Sequence, residues 1–422
     1  MAIMAIAGTV NISPIEECVM GCGDFQEPTK VCRDTLEANF VILTESDKKV
    51  LIISLDLLYV GERLRREITK SLSSIFANDE VFLAASHTHY APMVDDSKNM
   101  MGAVNDTYLD RIVGELHAAI IKALTNNPIE IEIKHGEYSL SQVVSRRRRR
   151  LLGVKNKGFH FNKVVMLPNP SMREFPKAHI IVLEREGTPL AVFWQFSCHP
   201  TSLPSGTGHS AHYIGEVRKK LRREIQLDVP FIFFQGLSGD LRPPAFDSNP
   251  SRPKKILEKW IVGSRFRLFT ENEYEIWCDS IYRDFFLNFM KLSKIQTSKI
   301  ENRVESLKLS RQTWPLDDFF QPKSIPDRIF SIQKIEIDQI VMIGASAELI
   351  SNWDHQITAM DASKEIITIS CIDDAFGYLP DYKTMNEGGY EAGEYCELFH
   401  LPPLSINTEK IFLEKLRSFF PT

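Results

Sequence analysis

The sequence predicts a mixed α/β fold, with central β-sheets flanked by helices, and three observations carry that reading. Apolar, β-branched runs alternate with stretches of helical period along the first third of the chain. The same alternation returns in the middle. Several of the apolar runs end abruptly in polar residues able to do chemistry, the pattern of strands that deliver side chains to one edge of a sheet.

Taken in order, MAIMAIAGTVNISP reads as a short strand running into Pro14, and FVILTES and KKVLIISLDLLYV as two further strands. ERLRREITKSLSSIF has helical period. EVFLAASHTHY is an apolar run that turns polar at His87. YLDRIVGELHAAIIKALTN is an amphipathic helix closed by Asn126, Asn127 and Pro128, and IEIEIKHGEYSL alternates like a half-buried strand. In the middle, HIIVLERE and PLAVFWQFSCHP are strands about a Gly187–Thr188–Pro189 turn, IGEVRKKLRREIQ is a basic helix, and VPFIFFQGLSGDLRPP is a strand entering a Gly-Asp-Pro loop. Residues 246–292 read as a mostly helical insertion carrying Trp260 and Trp277, and Trp314 to Pro326 as a linker or long loop. QIVMIGAS and EIITISCID are late strands, with a helix expected to start at Glu348 between them. A Gly/Tyr-rich loop follows from Phe376 to Gly393, and TEKIFLEKLRSFF is a closing helix. The expectation is a single domain over 1–422.

Composition narrows the function classes. With 422 residues, 43% hydrophobic and 25% charged, the chain has the make-up of a globular protein with a large core. A net charge of −5 gives no global pull toward nucleic acid or an anionic membrane, and no apolar run reaches the roughly 18 residues a spanning helix needs. The odd, scattered cysteines (Cys18, Cys22, Cys32, Cys198, Cys278, Cys371, Cys396) make a poor disulfide framework and a poor thiolate site. The N-terminus lacks a basic region before an apolar stretch, so the cytoplasm is the expected compartment. A homo-oligomer is compatible with all of this. The run Arg146–Arg150 lacks interleaved aromatics and reads as an exposed, solvated basic surface, as does the basic helix around Glu216 to Arg223.

The chemistry concentrates in the strand ends. In SHTHYAP, His87 and His89 are two apart and in an extended segment would face one side. His-x-His suits a metal, because neutral imidazole is a good zinc ligand. SCHPTS ends a second apolar run in His199, and QGLSGDLRP presents Asp240 at the tip of a third. Three polar strand ends argue for one site, and a metal-dependent hydrolase is the reading they favour. Taken alone, Glu348 in ASAELIS reads equally as a charge favouring a helix N-terminus, and Asp373 and Asp374 as loop carboxylates without a role.

SHTHYAP, SCHPTS, QGLSGDLRP, ASAELIS and GYLPDYKTMNEGGYEAG, in that order, resemble the neutral ceramidase family. The resemblance runs from about Val10 to the final helix. It implies a catalytic domain of sheets flanked by helices and a zinc ion held by His87, His199, Glu348 and Tyr378. It places His89 beside the metal water and Tyr390, twelve positions after Tyr378, in the site. Arg146 is the best match for the family's site arginine, uncertain by a residue or two within the run to Arg150. There are departures. Where the family's loop reads GDVSPN, this chain reads GDLRPP, with Arg242 in place of a serine that contacts the substrate near the scissile amide. The C-terminal immunoglobulin-like domain of the family is not matched.

In this frame zinc would supply an activated water of pKa about 7 and would polarise a carbonyl. His89 would act as general base and acid, Tyr390 as a donor to the developing oxyanion, and Arg146 and Arg242 as anion-binding forks. Asp240 and Arg242 are the expected substrate-binding pair. The function that follows is zinc-dependent cleavage of an amide in a small N-acyl substrate, anionic and not ceramide itself. Ester or phosphoester hydrolysis at the same centre and a catalytically silent binding protein are the alternatives. Pro250 to Phe269, mixing Lys254, Lys255 and Arg265 with Trp260 and Phe266, is expected to form a lid or rim.

Overall fold

A computed structural model of the chain describes residues 2–420 apart from 22–26, 156–157, 248–263, 297, 313–328, 375 and 399–401. Strands are numbered along the chain. β1 (Met4–Asn11), β2 (Glu37–Glu45), β3 (Lys48–Leu55), β4 (Val81–Ala85) and β5 (Ile129–Glu130) form a first sheet, ordered β4-β3-β2-β1-β5. A second contains β6 (Glu132–Tyr138), β9 (Ala178–Arg185), β10 (Thr188–Phe196), β11 (Phe231–Gln235) and β13 (Ser293–Ile295), ordered β11-β10-β9-β6-β13. A third orders β14 (Ile300–Leu307), β15 (Phe330–Ile337), β16 (Ile340–Ala345) and β18 (Glu365–Ile369) as β14-β15-β16-β18.

One face of each sheet meets the other two in a shared core. Val41, Leu43, Val50 and Ile52 of the first sheet, Ile181, Phe193 and Phe234 of the second, and Ile335, Ile340 and Met342 of the third all contribute to it. The outer faces bury against helices. Phe40, Ile42, Leu51 and Ile53 pack with α1 (Glu62–Ser71) and α2 (Asp106–Leu124). Trp194 and Phe196 pack with α3 (His212–Ile225) and α4 (Glu271–Phe289), and Val341 and Ile343 with α5 (Trp353–Thr358) and the closing helix at 408–417. Strands buried on both faces read as continuous apolar runs, which is why their sequences show little alternation. Burial of each large side chain contributes about 1.5 to 3 kcal/mol.

The helical insertion resolves into α4 alone within the described part of 246–292. Thr270 and Glu273 cap its start reciprocally, and Trp277, Ile281 and Phe285 fix it in the core beneath the second sheet. Two expectations need correction. Glu348 does not begin a helix: β17 (Glu348–Leu349) pairs in parallel with β19 (Tyr378–Leu379), and the helix starts only at Trp353. The arginine run is not simply an exposed, solvated surface, for Arg146 is buried and Arg147 nearly so. It lies in β7 (Val144–Lys155), which pairs with β8 (Gly158–Asn169) and, at its start, with β12 (Leu241–Arg242). The expected linker at 314–326 lies outside the described residues.

Each large sheet contains one parallel pair: β3 with β4, β10 with β11, and β16 with β18. The carboxyl ends of all six strands come together. Ala85 N bonds to Cys371 O at 3.0 Å and Ser370 N to Gln235 O at 2.7 Å. Ser54 Oγ donates to Phe233 O at 2.6 Å and Gln195 Nε2 to Thr368 O at 3.2 Å. These bonds stitch sheet to sheet and hold the loops beyond the strand ends in register.

Candidate metal centre

His87 follows the end of β4 with a left-handed backbone, φ 64°, a strained setting for a residue with a Cβ. His199 follows β10. Its backbone N–H bonds to Leu241 O at 3.0 Å, tying it to the GDLR loop beyond β11. Glu348 and Tyr378 are direct partners in the β17–β19 ladder, held by Glu348 N to Gly377 O at 2.8 Å. Partners across a ladder share a face, so the ladder brings these two side chains together.

Three ligand-type atoms converge. His87 Nε2 and His199 Nε2 lie 3.3 Å apart, and Glu348 Oε2 lies 3.3 Å from the first and 3.1 Å from the second. Tyr378 Oη is 3.4 Å from His199 Nε2. The far ring nitrogens settle the tautomers. His87 Nδ1–H donates to Leu58 O at 3.0 Å and His199 Nδ1–H to Ser238 O at 2.6 Å. In the neutral rings both Nε2 atoms therefore carry lone pairs, and two lone pairs at 3.3 Å do not form a hydrogen bond. They are close enough to hold one cation between them. Zn–N bonds of about 2.0 to 2.1 Å imply tetrahedral edges of roughly 3.3 to 3.4 Å, and the observed triangle has that size. The residues present thus fit a zinc ion, with carbonyls orienting both imidazoles from behind.

At His87 burial opposes the charged form, yet the neighbouring Cys371 and Glu348 raise its pKa well above the ordinary value. Burial drives His199 down to about 4, so it is a neutral donor at pH 7. Burial favours the neutral acid of Glu348, yet the two histidines beside it hold its carboxyl well below the ordinary range. His89 faces the same centre, its ring 5.2 Å from that of His87 and 5.7 Å from that of His199. Nitrogens of His87, His89 and His199 fall within 4.8 Å of one another, although His87, His199 and Glu348 make the tighter triangle. His89 Nε2 is buried with no partner among the described residues, and burial followed by the two other imidazoles lowers its pKa well below the usual value.

Arg146 is the member of the run that turns into the site. Its guanidinium lies over the rings of Tyr378 (5.2 Å) and Tyr390 (5.0 Å), and its Nε donates to Glu391 Oε1 at 2.6 Å. Arg147 takes the other oxygen of Glu391 at 2.7 Å. Arg147 is thus also turned inward, while Arg149 is the exposed member of the run. Tyr390 meets Tyr378 edge to face at 5.6 Å. Asp240 sits differently from its expected substrate-binding place, for both oxygens accept bonds from Ser351, from the backbone N–H at 2.7 Å and the hydroxyl at 2.9 Å. Arg242 stacks on Phe266, 4.7 Å from the ring centre. Within the stretch expected to form a lid or rim, Phe266 meets Arg242 and Phe269 is buried in the core, contrary to that expectation, while 250–263 lies outside the described residues.

Sequence reasoning missed two groups. Tyr59, hidden at the end of an apolar run, donates to Glu348 Oε1 at 2.7 Å. Glu391, next to Tyr390, is the shared carboxylate of Arg146 and Arg147. A lone acid beside the site tyrosine, facing an arginine run elsewhere in the chain, was the available signal. The loop glycines also carry geometry. A Cβ on Gly239 would stand 2.9 Å from Leu349 O, and one on Gly236 would stand 2.2 Å from Gln195 Nε2.

No protein-family profile matches the chain, and no curated protein matches it in sequence. Among solved structures, the chain is similar to the neutral ceramidase from Pseudomonas aeruginosa, with a TM-score of 0.74 at 12% identity over 100% of this chain and 75% of that one. A ceramidase complexed with C2 is similar at a TM-score of 0.73 and 12% identity, covering 99% of this chain and 74% of that one. The fold is that of the neutral ceramidases. Among the described residues, no helix is long and apolar enough to cross a membrane.

Proposed function

We propose that this chain is a zinc-dependent hydrolase that cleaves the amide bond of an N-acyl compound, and that the compound is anionic rather than ceramide. One observation carries the reading: the convergence of His87 Nε2, His199 Nε2 and Glu348 Oε2 at 3.1 to 3.3 Å, with Tyr378 Oη beside them. Likeness in fold to the ceramidases supports amide hydrolysis as the reaction class.

Zinc at this point would supply an activated water and a Lewis acid for the carbonyl. The chain's own residues do the rest. His89, neutral and unpartnered at Nε2, is placed to take a proton from the attacking water and return it to the leaving nitrogen. Tyr390, held against Tyr378 and beneath Arg146, is the donor for the developing oxyanion. Asp240 braces the GDLR loop through Ser351. The test is elemental analysis of the purified full chain followed by hydrolysis assays on N-acyl amino acids, N-acyl sugars and ceramide. One zinc per chain, with amide cleavage lost to a chelator and restored by zinc, is the expected result. A chain that takes up no zinc, or cleaves no amide when loaded, would refute it.

A further inference from the structure

Charge around the centre is unbalanced. Arg242 in β12 pairs opposite Val144 in β7, and Leu241 opposite Ser145. β7 is irregular between Ser145 and Arg147, so strand alternation does not set the direction of Arg146; its backbone N–H bonds to Asp240 O at 2.8 Å, which lays it beside the loop that carries Arg242. The one carboxylate that pairs with Arg146, Glu391, is already divided between Arg146 and Arg147. Asp240 is spent on Ser351. Among the described residues no carboxylate pairs with Arg242. Its contact is the face of Phe266, and its Nε–H is buried without an acceptor. Arg146 Nη2 is likewise buried and unpartnered. Burial, then the neighbouring charge of Arg146, pulls Arg242 down to about 10, which still leaves it cationic at neutral pH.

Two guanidiniums held by adjoining segments, each with a buried donor that lacks an acceptor among the described residues, fit a planar anion with two oxygens better than any neutral polar group. Their position restricts where that anion sits on the substrate. Arg146 overlies Tyr378 and Tyr390, and Leu241, next to Arg242, accepts from the backbone N–H of His199 at 3.0 Å. Both therefore border the point where the amide would be cut.

We infer that Arg242 and Arg146 form a carboxylate subsite next to the scissile amide, and that the substrate class is the N-acyl amino acids, with the carboxylate on the amine half. The inference rests on the amidohydrolase reading for the reaction but not for the binding. Phe266 fixes the plane of the Arg242 fork, and Glu391 fixes that of Arg146. A long apolar carboxylate whose charge is remote from the amide would miss both.

The test compares N-lauroylglycine, N-lauroylethanolamine and the monoamide of dodecanedioic acid on the zinc-loaded full chain. The expected kcat/KM for N-lauroylglycine exceeds that of either other compound by about tenfold or more, the size of a charge-assisted hydrogen bond. Arg242→Ser should lower kcat/KM for the acylglycine about tenfold more than for the ethanolamide, so that the ratio of the two falls toward one. Arg242→Lys, kept in case the serine variant does not fold, should retain only part of the preference. If none of the three is cleaved, the hydrolase reading fails and the same ratio is read by calorimetric titration of binding. Equal values for glycine and ethanolamine compounds, a preference for the remote acid, or an unchanged ratio in a folded Arg242 variant would each overturn the subsite.

Discussion

Tyr59 Oη donates to Glu348 Oε1 at 2.7 Å across 289 residues of sequence. The bond leaves Oε2 to the two imidazoles and fixes the rotation of the carboxylate. Lys98, paired with Asp95 at 2.9 Å, lies over the Tyr59 ring at 5.0 Å and holds it from the other side. Partners of this kind typically contribute about 10- to 100-fold to metal affinity. Tyr59→Phe is expected to remain folded and to bind zinc more weakly by that factor, measured by competition against a chelator of known affinity. An unchanged Kd would mean that the histidines alone orient Glu348.

His199 touches every other member of the centre. His199→Ala should purify almost free of zinc by elemental analysis while keeping its far-ultraviolet circular dichroism. Full occupancy in that variant would refute the ligand assignment.

His89 stands outside the tight triangle. His89→Ala should therefore retain zinc yet lose about 10²- to 10⁴-fold in kcat. Wild-type turnover in the metal-loaded variant would demote His89 to a packing role.

Glu391 neutralises two arginines at once and is itself buried. Removing one partner from a buried pair costs about 3 to 5 kcal/mol, so Glu391→Gln should lower Tm by several degrees at pH 7. Burial favours the neutral acid, but Arg146 and Arg147 hold the carboxyl below its ordinary value. A depressed carboxyl contributes stability above its unfolded pKa of about 4.3 and loses it as pH falls through the folded value. The Tm gap between wild type and variant should thus be constant above about pH 5 and narrow toward pH 3. A gap that ignores pH would show that the ion pairs contribute nothing.

The legible parts of this protein were those with a local cause. His87 and His199 stood out because an apolar strand must end where its side chains turn polar. Periodicity could not find the Glu348–Tyr378 ladder, whose two residues per strand leave no repeat to read. It misassigned Glu348 because a carboxylate before a helix has an equally good local explanation. Five consecutive arginines hid β7, since charge outweighed pattern and the compensating acids, Glu387 and Glu391, lie more than two hundred residues away. Only the ordered resemblance reached Tyr378 and Tyr390. Tyr59 escaped both routes, because in LIISLDLLYV it is one more apolar residue.

The meeting of three parallel strand pairs at one point has a consequence for the order of assembly. His87, His199 and Glu348 are separated by 112 and 149 residues, and each hangs from a different sheet. No fragment holding one sheet contains two of them. Contacts so distant in sequence form late, after the loop-closure entropy has been met by other interactions. An ion bound at this point would therefore not nucleate the chain; it would be captured by a frame already built. Once captured it would act as a rivet through three sheets, so that its binding free energy would oppose the opening of any one of them and protect backbone amides far from the ion itself.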